Sequence, residues 1–249
     1  MKHLKIIYLL VAAPFLSGMI LSCKEDTSSA KGAPFHVLIY TKTKAYHHEC
    51  IELGSKALQS YFSKYDILTT ATADSSVFSA ERLKDFDAVM FFQTTGNVLD
   101  STQQLAFENY IKSGKGFIGV HAASDTEYEW PWYGKLVGAY FANHPDIQQH
   151  VIEKVDTAHI SCKHLPMRWK RMDECYNFKS LPLHVNVLLT ADESTYQGGT
   201  HGDFHPMAWY QMYDGGRSFY TALGHTVESY QDTLFLEHVR QGVIWAAHK

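Results

Sequence analysis

Short apolar runs alternate along this chain with longer stretches that are apolar on one face only. Residues 36–41 (His-Val-Leu-Ile-Tyr-Thr), 67–71, 88–92 and 117–121 are short, β-prone and bounded by turn formers, which predicts strands. Between them, residues 49–64 place Ile51, Leu53, Ala57, Leu58, Tyr61 and Phe62 along one helical face. Residues 79–82 open a helical turn with Ser79 as cap. Residues 101–112 form a helix capped by Asp100 or a serine and ended by Gly114. Strands alternating with helices at these spacings mean right-handed βαβ units, and so an α/β fold with a mostly parallel central sheet. Beyond residue 121 the alternation loosens. Residues 147–156 and 184–191 read as strands, 207–213 and 218–223 as a hairpin around Asp214-Gly215-Gly216, and 233–247 as a closing helix.

The run Gly116-Phe117-Ile118-Gly119-Val120-His121 has a consequence for chemistry. It reads as a buried central strand, and His121 falls where that strand stops, the edge of an open α/β sheet at which ligands bind. A lone histidine there is more often a core ring bonded to a carbonyl. Here, however, His48 and His225 also stand at predicted strand exits, and Glu174 lies in the polar segment Asp173-Glu174-Cys175-Tyr176-Asn177-Phe178. Three histidines and a carboxylate at one sheet edge suit a divalent metal such as zinc, and suit acid–base chemistry equally. The expected catalytic residues are His121, Glu174 and His48, with Glu174 or His121 as base. The expected metal ligands or carbonyl-polarising groups are His48, His205 and His225, and His144 is kept as a supporting residue. The segment 125–133 carries Tyr128, Trp130, Trp132 and Tyr133 among acids. Its rings either pack back on the domain or form a platform for sugar faces. The expected substrate contacts are Asp125, Trp130, Trp132, Tyr176, Trp209 and Arg217.

The ends and the charge add a location. Lys2 and Lys5 precede an apolar run from Ile6 to Leu16, too short to span a bilayer, which predicts a secretory signal. Ile20-Leu21-Ser22-Cys23 looks like a lipobox with Cys23 as the acylated residue. The expected division is a signal peptide over 1–22, a polar tether over 23–34 and one domain over 35–249. The chain is then a lipoprotein of a Gram-negative cell envelope, held at the outer membrane by its lipid alone. Removing Lys2 and Lys5 takes the formal net charge from −4 to about −6. That disfavours nucleic acid and anionic membrane surfaces as partners. Cys50, Cys162 and Cys175 remain; the envelope would permit a disulfide between Cys162 and Cys175, and three cysteines do not make a disulfide scaffold. Oligomeric state is left open, a homo-oligomer included.

No GxSxG elbow, Walker A loop or GxGxxG motif is present, so no nucleotide cofactor is expected. Several segments instead resemble the ThuA-like (trehalose-utilisation) family of the class I glutamine amidotransferase-like superfamily: Tyr46-His47-His48, Gly119-Val120-His121-Ala122-Ala123-Ser124-Asp125, Asn143-His144-Pro145, the segment at Glu174, His205-Pro206-Met207-Ala208-Trp209, and the run from Gly215 to Thr226. The resemblance covers nearly the whole mature domain. It implies a flavodoxin-like three-layer sandwich and a role in disaccharide utilisation, in pathways where a glucoside is oxidised at C3 to a keto-sugar. In the amidotransferases the position of His121 carries the nucleophilic cysteine, so glutamine hydrolysis is not expected here. Two functions then compete. One is an enzyme that enolises, isomerises or cleaves a disaccharide or 3-keto-glycoside; the other is a non-catalytic sugar-binding lipoprotein.

Overall fold

The computed structural model describes residues 35–248. The signal peptide, Cys23 and the tether expected over 1–34 lie outside the described residues. In chain order the elements are β1 (His36–Tyr40), α1 (Ile51–Ser63), β2 (Leu68–Thr72), α2 (Ala80–Leu83), β3 (Ala88–Phe92), α3 (Ser101–Lys112), β4 (Gly116–Val120), α4 (Pro131–Val137), β5 (Phe141–Asn143), β6 (Gln148–Lys154), β7 (Arg168–Asp173), β8 (Asn177–Phe178), β9 (Asn186–Asp192), β10 (Pro206–Tyr213), β11 (Gly216–Thr221) and α5 (Thr233–Ala246).

A nine-stranded sheet runs in the order β2-β1-β3-β4-β11-β10-β9-β6-β7. The first five strands are parallel. Every residue of β3 and β4 is buried, as expected of strands covered on both faces. Successive side chains point to opposite faces, and the aromatic packing follows. Phe91 and Phe117 meet Phe107 of α3 and Tyr133 of α4 on one face. Phe92 meets Tyr230 on the other, where α1 and α5 pack. The closest approach on that side needs a glycine, because a Cβ on Gly242 of α5 would stand 2.4 Å from the Phe219 ring. The result is the parallel α/β sheet expected from the alternation and the flavodoxin-like, glutamine amidotransferase-like three-layer sandwich that the family resemblance implied. α3 carries the capping box of Asp100 and Gln103.

The other four strands add an antiparallel extension. The β10–β11 hairpin turns on Asp214 and Gly215, both at positive φ (49° and 94°), the conformation a two-residue hairpin loop demands. Sequence reading missed β7. It alternates between exposed and buried as a strand should, but its inward residues are Trp169, Arg171 and Asp173, so the hydrophobic pattern is inverted there. Arg171 lies over the rings of Trp169 and Phe235 and bonds Asp232, Asp173 and Ser229. Although β7 ends the strand order, Asp173 bonds the backbone that follows β11, so the antiparallel half curls back over the parallel edge. Cys50, Cys162 and Cys175 are each free and buried, so the open question of a Cys162–Cys175 bridge is answered against it. Among the described residues, no helix is long and apolar enough to cross a membrane.

Candidate functional site

His121 follows β4 directly, at a left-handed φ of 50° that costs a non-glycine residue roughly 1–3 kcal/mol. The turn is held by its surroundings: the Tyr220 hydroxyl donates to the His121 carbonyl (2.8 Å), and His121 Nδ1 meets the Ala222 carbonyl at 2.6 Å. A carbonyl only accepts, so Nδ1 carries the proton. That leaves Nε2 as the ring atom facing the sheet edge, where it can offer a lone pair to a ligand. Parallel to β4, β11 delivers His225 beyond Gly224, whose φ of 103° suits glycine. β1 delivers buried His48. Between the two outer exits, Gln93 at the end of β3 donates to the Gly224 carbonyl (2.8 Å) and steadies that loop.

Glu174 comes from the curled-back half. Buried Asp173 beside it accepts from the backbone N–H groups of Glu174, Gly224, His225 and Thr226 at 2.9–3.3 Å, and from Arg171 and Ser229. One carboxylate thus ties the Glu174 loop to the His225 loop. Burial alone would raise the Asp173 carboxyl, but Arg171 and these donors hold it below its ordinary value.

The four side chains meet. His121 Nε2 lies 3.1 Å from His225 Nδ1 and 3.3 Å from Glu174 Oε2; His225 Nδ1 lies 3.1 Å from the same oxygen. His48 joins them, and each of the four residues offers a ligand atom within 4.8 Å of the others. Burial, reinforced by the His121 and His225 rings, pushes the His48 pKa down to about 2, so that ring stays neutral; its Nδ1 is buried with no hydrogen-bond partner. Burial would raise Glu174 and lower His225, but the contacts win at both: the His121 and His225 rings hold Glu174 well below the usual carboxylate range, and Glu174 raises His225.

These donors fit a metal. Atoms bound at 2.0–2.1 Å to a tetrahedral ion stand roughly 3.3–3.4 Å apart, close to the three spacings found here. An orphaned imidazole nitrogen, a lone pair oriented by a backbone carbonyl and an ionised carboxylate are the ligand types a divalent ion takes.

The cluster opens into a cavity of about 350 Å³ lined by Tyr46, His48, Asp125, Phe141, His144, Glu174, Tyr176 and His225. The Tyr176 ring lies 4.0 Å from the His121 ring, and Phe141 packs against Tyr176. His144 stands at the rim with Nδ1 2.9 Å from Glu174 Oε1. A larger cavity of about 540 Å³ lies between α4 and residues 180–185, but its wall holds Lys135 and His184 without a carboxylate, so the smaller one is the stronger candidate site.

Other expected residues sit elsewhere. His205 is no part of the cluster. It precedes β10, at a strand start rather than an exit, with Nε2 on the Tyr176 carbonyl (2.7 Å) and Nδ1 on Glu193 (2.7 Å) and Tyr196 (2.9 Å). The expected ligands His48, His205 and His225 are therefore corrected: the group that could hold an ion is His48, His121, Glu174 and His225. Trp130 donates to Glu108 and stacks on Trp132, which donates to Asp214; both pack against Phe107 of α3. Trp209 is fully buried and donates to the Val137 carbonyl. Arg217 pairs in register with Gly116 at the far edge of the sheet and bonds the Trp245 carbonyl. None of these four lines the cavity. Of the expected substrate contacts, Asp125 and Tyr176 do. Sequence reading missed Phe141, and Tyr46 was visible only as a neighbour of His48. Burial pushes the Cys50 and Cys175 thiols up to about 12 and Cys162 to about 11, which disfavours their thiolates.

A family model described as trehalose utilisation (ThuA) matches residues 36–246. The chain is similar in structure to a ThuA-like protein from Bacteroides uniformis (TM-score 0.72, 23% identity, covering 87% of this chain and 93% of that one). It is equally similar to a ThuA-like protein from Parabacteroides merdae (TM-score 0.72, 20% identity, 86% and 90%). A glutamine amidotransferase from Thermotoga maritima shares the fold more distantly (TM-score 0.51, 14% identity, 87% and 99%). No curated protein matches the chain.

Proposed function

The chain belongs to the trehalose-utilisation (ThuA) family, and from that premise we propose that it is an enzyme of sugar breakdown that enolises a 3-keto-glycoside, with isomerisation or loss of the glycosidic group as the outcome. The observation that carries this reading is the His48–His121–Glu174–His225 cluster at the base of a cavity walled by rings and one carboxylate. These four residues would hold a divalent ion, which when bound supplies Lewis acidity toward a sugar carbonyl. The chain's own residues do the rest. Tyr176 and Phe141 offer flat apolar faces to sugar C–H faces, and Asp125 and Tyr46 offer hydrogen-bond partners to hydroxyls. A carbonyl beside the cluster acidifies the neighbouring C–H, so a proton can leave at neutral pH. Thiolate chemistry has no support among the described residues, since histidine stands at the strand exit and Cys50, Cys162 and Cys175 are all buried.

The test is incubation of the purified protein with 3-keto-glucosides and with ordinary disaccharides, with and without added zinc or manganese, alongside elemental analysis. Turnover of the keto-glycosides that follows ion content is expected. Binding without turnover under every condition would favour the non-catalytic sugar binder instead.

A further inference from the structure

We propose that Asp125 is the general base of this site, taking the proton from the sugar carbon next to the carbonyl; the assignment rests on the enolising reading above. Other ionisable groups on the cavity wall are committed elsewhere. His48, Glu174 and His225 face one another in the cluster. His144 Nδ1 is engaged by Glu174 and by the Pro145 carbonyl. Tyr46 is a largely exposed phenol at the mouth, and burial drives the Tyr176 hydroxyl far from ionising.

Asp125 differs from all of these. It ends the tight 3₁₀ turn that begins at His121, so the carboxylate and the strand-exit histidine ride on one rigid element. Its Oδ1 accepts from the Tyr128 hydroxyl at 2.6 Å, which fixes the carboxylate plane. Tyr128 is itself pinned between Tyr140 and the Lys179 ammonium, 3.7 Å above its ring. No described residue donates to Oδ2, which leaves that oxygen for substrate. Burial makes this carboxylate a stronger base than a solvated one, against the opposing pull of Tyr128, Lys179 and His121.

The step balances without a further reactant. With the carbonyl at C3, the C2–H pair moves into a C2–C3 double bond, the carbonyl pair moves onto oxygen, and the proton goes to Asp125. Return of that proton to C2 gives exchange or epimerisation. Alternatively, the enolate pair forms C1=C2 and expels the glycosidic oxygen, which takes the proton from Asp125; one glycoside becomes an unsaturated keto-sugar and an alcohol.

The experiment follows exchange of the C2 proton of a methyl 3-keto-glucoside in D2O by NMR, using the ion-loaded full domain. Asp125→Asn is expected to lose about 10²- to 10⁴-fold in exchange rate at saturating substrate, with ion content unchanged. Asp125→Ala is expected to regain part of the rate when formate is added, which a merely structural carboxylate would not produce. An Asn variant within threefold of wild type, or a loss confined to KM, overturns the assignment and leaves the enolising site standing. Wild-type protein that exchanges no faster than buffer overturns the site reading and the assignment together.

Discussion

Adding a divalent ion to stripped protein should raise its unfolding temperature, and the rise can be worked from the site. Three donor atoms already stand 3.1–3.3 Å apart, so binding needs little rearrangement of the loops that carry them. At a free ion concentration a hundredfold above Kd, linkage stabilises the folded state by about 2.7 kcal/mol. A domain of this size gains about 2–4 °C per kcal/mol, so the midpoint should rise by roughly 5–11 °C. His225→Ala removes one donor. A hundredfold weaker Kd at the same ion concentration leaves about 0.4 kcal/mol, and the rise shrinks to a degree or two. His205→Gln separates the corrected ligand set from the one read in sequence. It should lower the baseline midpoint, because it loses the contacts to Tyr176 and Glu193, yet keep most of the ion-induced rise. The assay is calorimetry on EDTA-treated protein titrated with zinc, manganese or nickel. A wild-type midpoint that no ion moves, or a full rise in His225→Ala, would refute the reasoning.

Asp173→Ala strips a buried charge from Arg171 and from four backbone donors, and urea unfolding should show a loss of about 3–5 kcal/mol; less than 1 would mean the clamp is dispensable. Trp130→Ala should cost about 3–5 kcal/mol of stability and leave KM for a keto-glycoside unchanged, whereas a tenfold rise in KM would restore the sugar-platform reading. His238 gives a pH prediction. Burial lowers its pKa from 6.5 to about 3, so between those values the unfolded chain binds a proton that the folded one refuses, and stability falls as pH falls through that window. His238→Phe should flatten the fall by about 1.4 kcal/mol per pH unit in urea unfolding between pH 6 and 4; parallel profiles would contradict it.

The parallel half of the fold and its site edge were legible because the physics there is local. Buried strands such as Ala88–Phe92 are continuous apolar runs, the helices between them carry an apolar stripe, and the rule for ligand position places His48, His121 and His225 on one edge. The antiparallel half was legible only in part: β6, β9 and β10 fall where strands were expected, but β7 and the strand directions were not legible, for two reasons. β7 buries Arg171 and Asp173 on its inner face, which cancels the alternation that marks a half-buried strand. A strand's direction also leaves no mark in composition. His205 therefore looked like another site histidine, although it opens β10 rather than ending a strand. The tryptophans failed differently: rings among acids look the same whether the ring NH meets a sugar or, as here, Glu108 and Asp214. Glu174 was expected in one site with His121, but the contact that holds it in place there was not legible. That place depends on Asp173 accepting from the loop after β11, a bond between residues 51 positions apart in the chain. The histidines follow from the sheet, while the carboxylate that makes them a ligand set follows from one buried charge satisfied by distant backbone. Loss of Asp173 should therefore weaken ion binding as well as stability, even though Asp173 itself belongs to no part of the ligand set.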